Sequence, residues 1–454
     1  MGTIESTAET KISKSFSRHV TTVADRYSRA LSDHGFDAAV IFSGTPLMQF
    51  LDDNTYPFKA NPQFKNWVPL TSLPDSFIIY EPGSKPVLVY FQPEDFWHKN
   101  PDAPEGFWAE HFDIKVISNK DKARQLMPKG KTVFLGEWQE RFESWAKFSV
   151  NHEALTNQLH YDRAWKTEYE IACMEHASYL GALGHRAAFL AFQEETSEYD
   201  IHLAYCAACE HTDEQLPYSN IIALNSHSAI LHYTYRDTHV IPAKDRKSFL
   251  IDAGAGCNGY ASDITRTYAY DDNSLFGELI DGMDELQRII CEMVKPKARY
   301  PQLHLDTHRA IGGLLSNAGV INISGDDAAA SGLTSIFYPH GLGHYIGLQV
   351  HDVGGFMKDK SGEHMDPPEG HEFLRLTRQI DVNQVMTIEP GIYIIDSLLK
   401  TIKDGKLGKN VNWDIVDQLR PYGGIRIEDN VVVTEGESRN LTREAFEKLD
   451  HHEH

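Results

Sequence analysis

Residues 249–268 read FLIDAGAGCNGYASDITRTY, and the fold turns on how their glycines are read. Gly254, Gly256 and Gly259 fit the G-x-G-x-x-G of a dinucleotide-binding turn, and the apolar FLID before them has a strand pattern. Such a turn must open a helix, so that a pyrophosphate meets the helix N-terminus. The next residues here are YASDITRTY, which are β-prone. The glycines therefore predict a reversal between two antiparallel strands, and no nucleotide site is expected. The same stretch carries Asp252 at the end of its first strand and Asp263 eleven residues later.

Two more acidic residues sit in strand patterns further along: Glu389 in VMTIEPGIY and Glu428 in GGIRIEDN. All four lie among β-branched or apolar neighbours, where an ionised carboxylate is costly unless it is paired or metal-bound. Between them lies PHGLGHYIGLQVHD, residues 339–352, with His340, His344 and His351 and the glycines 341, 343 and 347. Glycine permits unusual backbone angles and close approach, as a metal or substrate site often requires. Four converging carboxylates repel one another, and two divalent cations carry the four positive charges that balance them. One imidazole with carboxylate oxygens suits Mn²⁺, Co²⁺ or Fe²⁺ better than a structural zinc. A two-metal site lowers the pKa of a bridging water. The reaction class is metal-assisted hydrolysis.

Composition sets the frame. The 454 residues are 41% apolar and 24% charged, which excludes a disordered chain or a fibre. With 43 basic and 65 acidic residues the net charge is −22, a balance that disfavours nucleic acid or an anionic membrane as partner. The opening MGTIESTAETKISKSFSRHV lacks the apolar core of a secretory signal, and no run is long enough to span a membrane. The five cysteines are too few and too unevenly spaced for a disulfide framework, so a reducing cytoplasm is expected. Cys206 and Cys209 form a CxxC inside a helical pattern with no second pair, which reads as core. The closing His451-His452-Glu453-His454 reads as a solvated tail.

The chain is long enough for two domains. Up to about residue 160 helix and strand signals alternate: a helix over 15–34, then strands at DAAVIFS, FIIY, PVLVYF, DIKVIS and VFLG. Beyond that come long helices near 167–192 and 197–211, then strands near 219–224, 247–254, 260–270, 385–394 and 424–434. Helices near 274–294 and 303–317 separate the earlier strands from the later ones. The expected class is α+β: a small N-terminal α/β domain over 1–160, and a second domain over 161–454 whose strands group into a layer with helices outside.

The order Asp252, Asp263, His344, Glu389, Glu428 resembles the pita-bread metallopeptidases, in which Asp, Asp, His, Glu, Glu bind two metals. HGLGHYIGLQVHD is similar to their prolidase and aminopeptidase P branch. In the first half, QFLDDNTYPFKANPQFKNW and EDFWHKNPDAP resemble bacterial Xaa-Pro dipeptidases of the organophosphorus acid anhydrolase type. The resemblance implies a curved antiparallel sheet flanked by helices in the C-terminal domain. It implies two Mn²⁺ per subunit, with Co²⁺ as an alternative. Asp252 would chelate one metal, Asp263 and Glu428 would bridge, and His344 and Glu389 would complete the other metal's shell.

The same resemblance makes Glu389 the general base for a metal-bridging hydroxide, and gives His351 and His340 the scissile carbonyl or its oxyanion. Arg375, fourteen residues before Glu389, would bind the proline carboxylate, with His232 as second recognition residue. Tyr218, Tyr300 and Arg426 match pocket positions, and each tyrosine reads equally well as core with a satisfied hydroxyl. Asp53 and Trp97 resemble residues by which a partner subunit's N-terminal domain closes the pocket, implying a homodimer or a dimer of dimers. Substrates would be Xaa-Pro dipeptides, with organophosphorus esters and fluorides as a side activity, because tetrahedral phosphorus resembles the amide-hydrolysis intermediate. The rivals are an aminopeptidase P that trims longer peptides, a metal-free creatinase-like enzyme, and a non-catalytic pita-bread binding module.

Overall fold

A computed structural model describes residues 2–451, and the side chains of 7–451; His452, Glu453 and His454 of the tail lie outside them. The chain divides into two compact units, Met1–Cys173 with Cys257–Tyr260 and Lys358–Glu363, and the remainder.

The first unit is built on a six-stranded sheet. Its strands are β1 (Ala38–Phe42), β2 (Phe77–Tyr80), β3 (Val87–Phe91), β4 (Asp113–Ile117), β5 (Thr132–Leu135) and β6 (Phe148–Val150), in the order β4-β3-β2-β1-β5-β6. The sheet is mixed. β2 runs antiparallel to β1 and β3, while β1–β5, β3–β4 and β5–β6 are parallel. Val40, Phe42, Phe77, Val89, Phe134 and Phe142 fill its core. Helix α1 (Gly2–His34) buries Ile12, Phe16, Val20, Val23, Tyr27, Ala30 and Leu31, a spacing of three and four that keeps one face apolar. It begins before the stretch over 15–34 in which that period is legible. Residues 56–62, YPFKANP, lead into a short helix α2 (Pro62–Trp67), capped by the Asn61 side chain on Gln63 N and started by Pro62.

Helix α3 (Glu153–Asp162) belongs to the first unit and is followed by α4 (Glu168–Gln193), which begins just inside that unit and opens the second together with α5 (Glu198–Ala208). A Ser197–Asp200 capping box starts α5. Strands β7 (Ile221–Leu224) and β8 (Ser248–Asp252) come next, then β9 (Gly256–Cys257), β10 (Tyr260–Ala261) and β11 (Thr265–Ala269). Asn258 and Gly259 turn the chain between β9 and β10 with φ of 52° and 88°, the two left-handed residues of a tight hairpin. The glycine-rich stretch is thus an antiparallel reversal, as its β-prone sequel predicts.

β8 is the centre of a three-stranded antiparallel piece, order β11-β8-β7, with Asp252 opposite Thr265. Helices α6 (Leu275–Met293) and α7 (Tyr300–Asn317) lie beyond it in the chain. The late strands are β12 (Val385–Ile388), β13 (Gly391–Tyr393), β14 (Gly424–Arg426), β15 (Asp429–Val432) and β16 (Arg439–Asn440). They make two further antiparallel pieces, β12-β15-β16 and β13-β14. A bridge between Thr265 and Glu428 joins the early strands to the late ones. The core beneath β7, β8 and the helices holds Phe192, Ile201, Tyr205, Cys209, Ile222, Phe249 and Ile251. Cys209 is fully buried in it, and burial pushes its thiol up to about 12 and that of Cys206 to about 11. Neither is a reactive thiolate. All five cysteines are free.

Candidate metal centre

Strand register gathers the acidic residues. Asp252 ends β8 opposite Thr265, and Thr265 faces Glu428 across the bridge, with backbone hydrogen bonds in both directions. Glu389 lies in the break between β12 and β13, and Glu428 in the matching break between β14 and β15. The histidine segment is laid beside β12: Thr387 N donates to His344 O, Glu389 N donates to Leu342 O, and Tyr345 bridges Met386. Gly343 makes this approach possible. Its φ is 153°, and a Cβ there would stand 2.3 Å from Thr387 O and 2.5 Å from Tyr300 Oη.

Ligand atoms of Asp263, His344 and Glu428, all buried, lie within 4.8 Å of one another. His344 Nε2 is 3.5 Å from both Asp263 Oδ2 and Glu389 Oε1. The Tyr218 hydroxyl joins the two aspartates, 2.8 Å from Asp252 Oδ1 and 2.6 Å from Asp263 Oδ1. Arg426 Nη2 donates to Asp252 Oδ2 at 2.7 Å. His344 Nδ1 donates to Tyr345 O at 2.9 Å, which leaves Nε2 its lone pair and turns it into the cluster. The five predicted ligand side chains thus lie together in one cluster of the second unit.

The electrostatics fit divalent cations. Burial pushes Glu389 up to about 7, the nearby Asp263 and Asp252 adding to it against the pull of His344 and Arg426. Glu428 is held well above the carboxylate range by burial and by Asp263, Glu389 and Asp252. Burial also raises Asp252 in spite of Arg426. Asp263 alone of the four is lowered: burial raises it, and His344, Tyr218 and His351 together outweigh that. Carboxylates packed this closely repel one another, and hard oxygen donors with one imidazole are a donor set that divalent cations fit.

Other predicted residues fall in distinct places. His340 is half-buried, its Nδ1 2.8 Å from Gly341 O and 3.8 Å from Glu389 Oε2, its Nε2 2.9 Å from Tyr393 Oη. Burial, with Arg426 second, lowers it to about 3. His351 is exposed, its ring 4.4 Å from that of His344 and nearly perpendicular to it. Partial burial of its ring, the His344 charge and Arg375 lower it to about 4, and His232 adds to the effect. Arg375 and His232 themselves are exposed. Arg426 is 5% exposed, and its guanidinium is taken up by Asp252, Thr265 and Tyr393. Tyr300 is buried, with its hydroxyl on Thr387 O at 2.7 Å. Asp53 and Trp97 belong to the first unit, Asp53 exposed and Trp97 78% exposed.

Several supporting residues carry no motif of their own. Thr265 Oγ1 donates to Glu428 Oε2 at 2.7 Å, Thr387 Oγ1 accepts from His344 N at 3.1 Å, and Asn430 Nδ2 donates to Asp263 O at 2.9 Å. Tyr393 joins His340 to Arg426. Their one signal in the sequence is position: each hydroxyl or amide stands two to four residues from a ligand.

Comparison with known proteins places this geometry. Residues 172–435 match Metallopeptidase family M24, and residues 14–161 match the N-terminal domain of Xaa-Pro dipeptidase. The chain belongs to metallopeptidase family M24, in its bacterial Xaa-Pro dipeptidase branch. It is 48% identical over 433 residues to the Xaa-Pro dipeptidase of Xanthomonas campestris pv. campestris (strain B100), covering 95% of this chain and 97% of that protein. It is 44% identical over 439 residues to that of Pseudoalteromonas atlantica, covering 96% and 99%. Among solved structures it resembles the Pseudomonas aeruginosa aminopeptidase PepP, with a TM-score of 0.72 at 22% identity over 93% of this chain and 95% of that one. At that identity the likeness is one of fold: an N-terminal domain followed by the pita-bread domain.

Proposed function

We propose that this protein hydrolyses Xaa-Pro dipeptides with two divalent cations, manganese by preference and cobalt as a substitute. The observation that carries the reading is the cluster of Asp263, His344 and Glu428, flanked by Asp252 and Glu389 within one buried pocket. These five residues would hold the cations. Two divalent cations bound there would supply a water activated near neutral pH and Lewis acidity toward the scissile carbonyl.

The chain's own residues do the rest. Glu389 Oε2, 3.8 Å from His340 Nδ1, takes the proton from the attacking water and passes it to the leaving proline nitrogen. His340 Nδ1 can exchange its Gly341 carbonyl for the substrate's developing oxyanion, and Tyr393 and Arg426 hold its ring in place. His351, at the exposed mouth, offers a second donor. Arg375 takes the proline carboxylate with a guanidinium fork and His232 assists, both close enough to bear on His351. Tyr218 keeps Asp252 and Asp263 apart and aligned. The buried Arg426 acts as a positioning residue for Asp252, and Tyr300 as one for the Thr387 strand.

The same centre would hydrolyse organophosphorus esters and fluorides as a side activity. A homodimer completes the pocket: Asp53 and Trp97 of a second copy would block residues beyond a dipeptide, and the exposure of the Trp97 indole supports such a contact. Cytoplasmic reducing conditions suit the five free thiols. The dipeptidase reading is favoured over an aminopeptidase P by relatives at 44% and 48% identity, against a fold-level likeness at 22%. The test is a panel of Xaa-Pro dipeptides, an Xaa-Pro-Xaa tripeptide and a fluorophosphate, assayed with Mn²⁺, Co²⁺ and Zn²⁺. Dipeptide cleavage with the tripeptide intact is the expected result; a cleaved tripeptide reverses the assignment.

A further inference from the structure

Outside this centre, a second group of histidines converges. His304 and His308 lie four residues apart on α7, so both rings project from one face of the helix. His371, from a turn in the loop before β12, closes on them: ring centroids are 4.7 Å apart for His304–His308 and His304–His371, and 4.6 Å for His308–His371. One ring nitrogen from each lies within 4.8 Å of the other two. His304 and His308 are 1% and 2% exposed, and His308 Nε2 is buried with no hydrogen-bond partner among the described residues. Leaving such an atom unpaired is costly unless something completes it.

We propose that His304, His308 and His371 form a binding site, separate from the catalytic centre, for one divalent transition-metal cation of borderline softness, zinc above all. Three imidazoles with an open fourth position are a tetrahedral zinc donor set. One ligand atom is already oriented. His308 Nδ1 stands 2.8 Å from Thr334 Oγ1, and a ring that donates there presents the lone pair of Nε2 to the cluster. Burial, with the neighbouring histidines second, keeps His304 at about 2 and burial keeps His308 at about 3, so both rings are neutral and able to ligate.

His304 Nε2 and His371 Nδ1 are 2.9 Å apart, hydrogen-bonded to each other. Two nitrogens on one tetrahedral zinc stand about 3.3 Å apart, so the pair must part by a few tenths of an ångström, and the proton of that hydrogen bond must pass to the other nitrogen of the ring that carries it. His371 can yield, because it is half-buried in a turn while the other two are fixed on the helix. That half-exposed edge also gives the cation its entry and a water its place.

The site has a route to the catalytic pocket. The Tyr338 ring packs against His308 at 4.8 Å and against His340 at 4.9 Å. The turn at His371 lies four residues before Arg375. A cation held there ties α7 to both neighbours.

The test counts zinc on the full-length protein, stripped with chelator and re-equilibrated with Zn²⁺, in wild type, His371→Ala and His308→Gln. The catalytic ligands are intact in all three, so their contribution cancels. Wild type should bind one zinc more per chain than either variant, and Co²⁺ in its place should give tetrahedral visible absorption that both variants lose. His371→Ala alters a half-exposed turn and keeps the test valid if His308→Gln fails to fold. Equal zinc counts in wild type and His371→Ala, with no difference in the Co²⁺ spectrum, would overturn the proposal.

Discussion

Arg426 Nη2 donates to Asp252 Oδ2 at 2.7 Å, with side chains only 6% and 13% exposed. This pair is the one place, among the described residues, where a fixed cation of the chain offsets the pocket's carboxylates directly. Removing one partner of a buried ion pair leaves an uncompensated charge, at about 3 kcal/mol or more. Arg426→Ala should therefore destabilise the ion-free protein by that order, with Mn²⁺ restoring much of the loss. Chemical denaturation with and without Mn²⁺ reads this out; an unchanged midpoint without metal would show that the pair does not hold Asp252.

Thr387 positions two candidate ligands at once, accepting from His344 N at 3.1 Å and standing 3.4 Å from Glu389 Oε1. Thr387→Val keeps the shape and deletes both contacts. Supporting residues of this kind are worth about 10- to 100-fold, so kcat/KM for a leucyl-proline dipeptide should fall about 10-fold or more. Thr387→Ser should restore most of it. Full activity in the valine variant would argue that the histidine segment holds its register without Thr387.

Gly343 carries a different demand. A side chain there meets Thr387 O and Tyr300 Oη at 2.3 and 2.5 Å, and the backbone is already at a φ of 153°. Gly343→Ala must push the His344 segment off β12. A loss of about 4 kcal/mol in stability is expected, an exceptional value for one methyl group. A folded, fully active alanine variant would contradict the close packing of these two segments.

A buried histidine gives the pH dependence. His185 is fully buried, donates its Nε2–H to Ala253 O at 3.0 Å, and is lowered to about 3 chiefly by burial. An unfolded histidine titrates near 6.5, so between about pH 6.5 and 3 the unfolded chain binds a proton that the folded chain refuses. Stability from this group is complete above about pH 6.5 and is lost as pH falls, at about 1.4 kcal/mol per pH unit. His185→Gln should flatten the stability curve by that slope between about pH 6 and 4. An unaltered slope would mean that the ring is hydrated or charged in the folded state.

Most of the fold and the candidate ligands were legible because their signals are local. Asp252, Asp263, Glu389 and Glu428 stand out as acids among β-branched neighbours, and the G-x-G-x-x-G stretch is decided by the residues after it. The register that brings Thr265 opposite both Asp252 and Glu428 is not local, since it pairs positions 163 residues apart. Thr265, Thr387 and Asn430 are ordinary residues until that pairing gives them partners. His304 and His308 do carry a helical i, i+4 signal, but His371 joins them from a turn with no periodicity. Helix α1 runs beyond its apolar period because a formed helix propagates at little cost through polar residues.

Five side chains of one pocket are proposed to hold two cations that the reaction needs, and metal content read together with turnover decides the matter. Bound Mn²⁺ per chain and leucyl-proline cleavage are to be measured on the same preparations of wild type and Asp263→Asn. Two Mn²⁺ per wild-type chain are expected, with at least one lost and turnover down by about 1,000-fold or more in the variant. Full turnover by Asp263→Asn, or a wild type that turns over without bound metal, would contradict the two-cation centre.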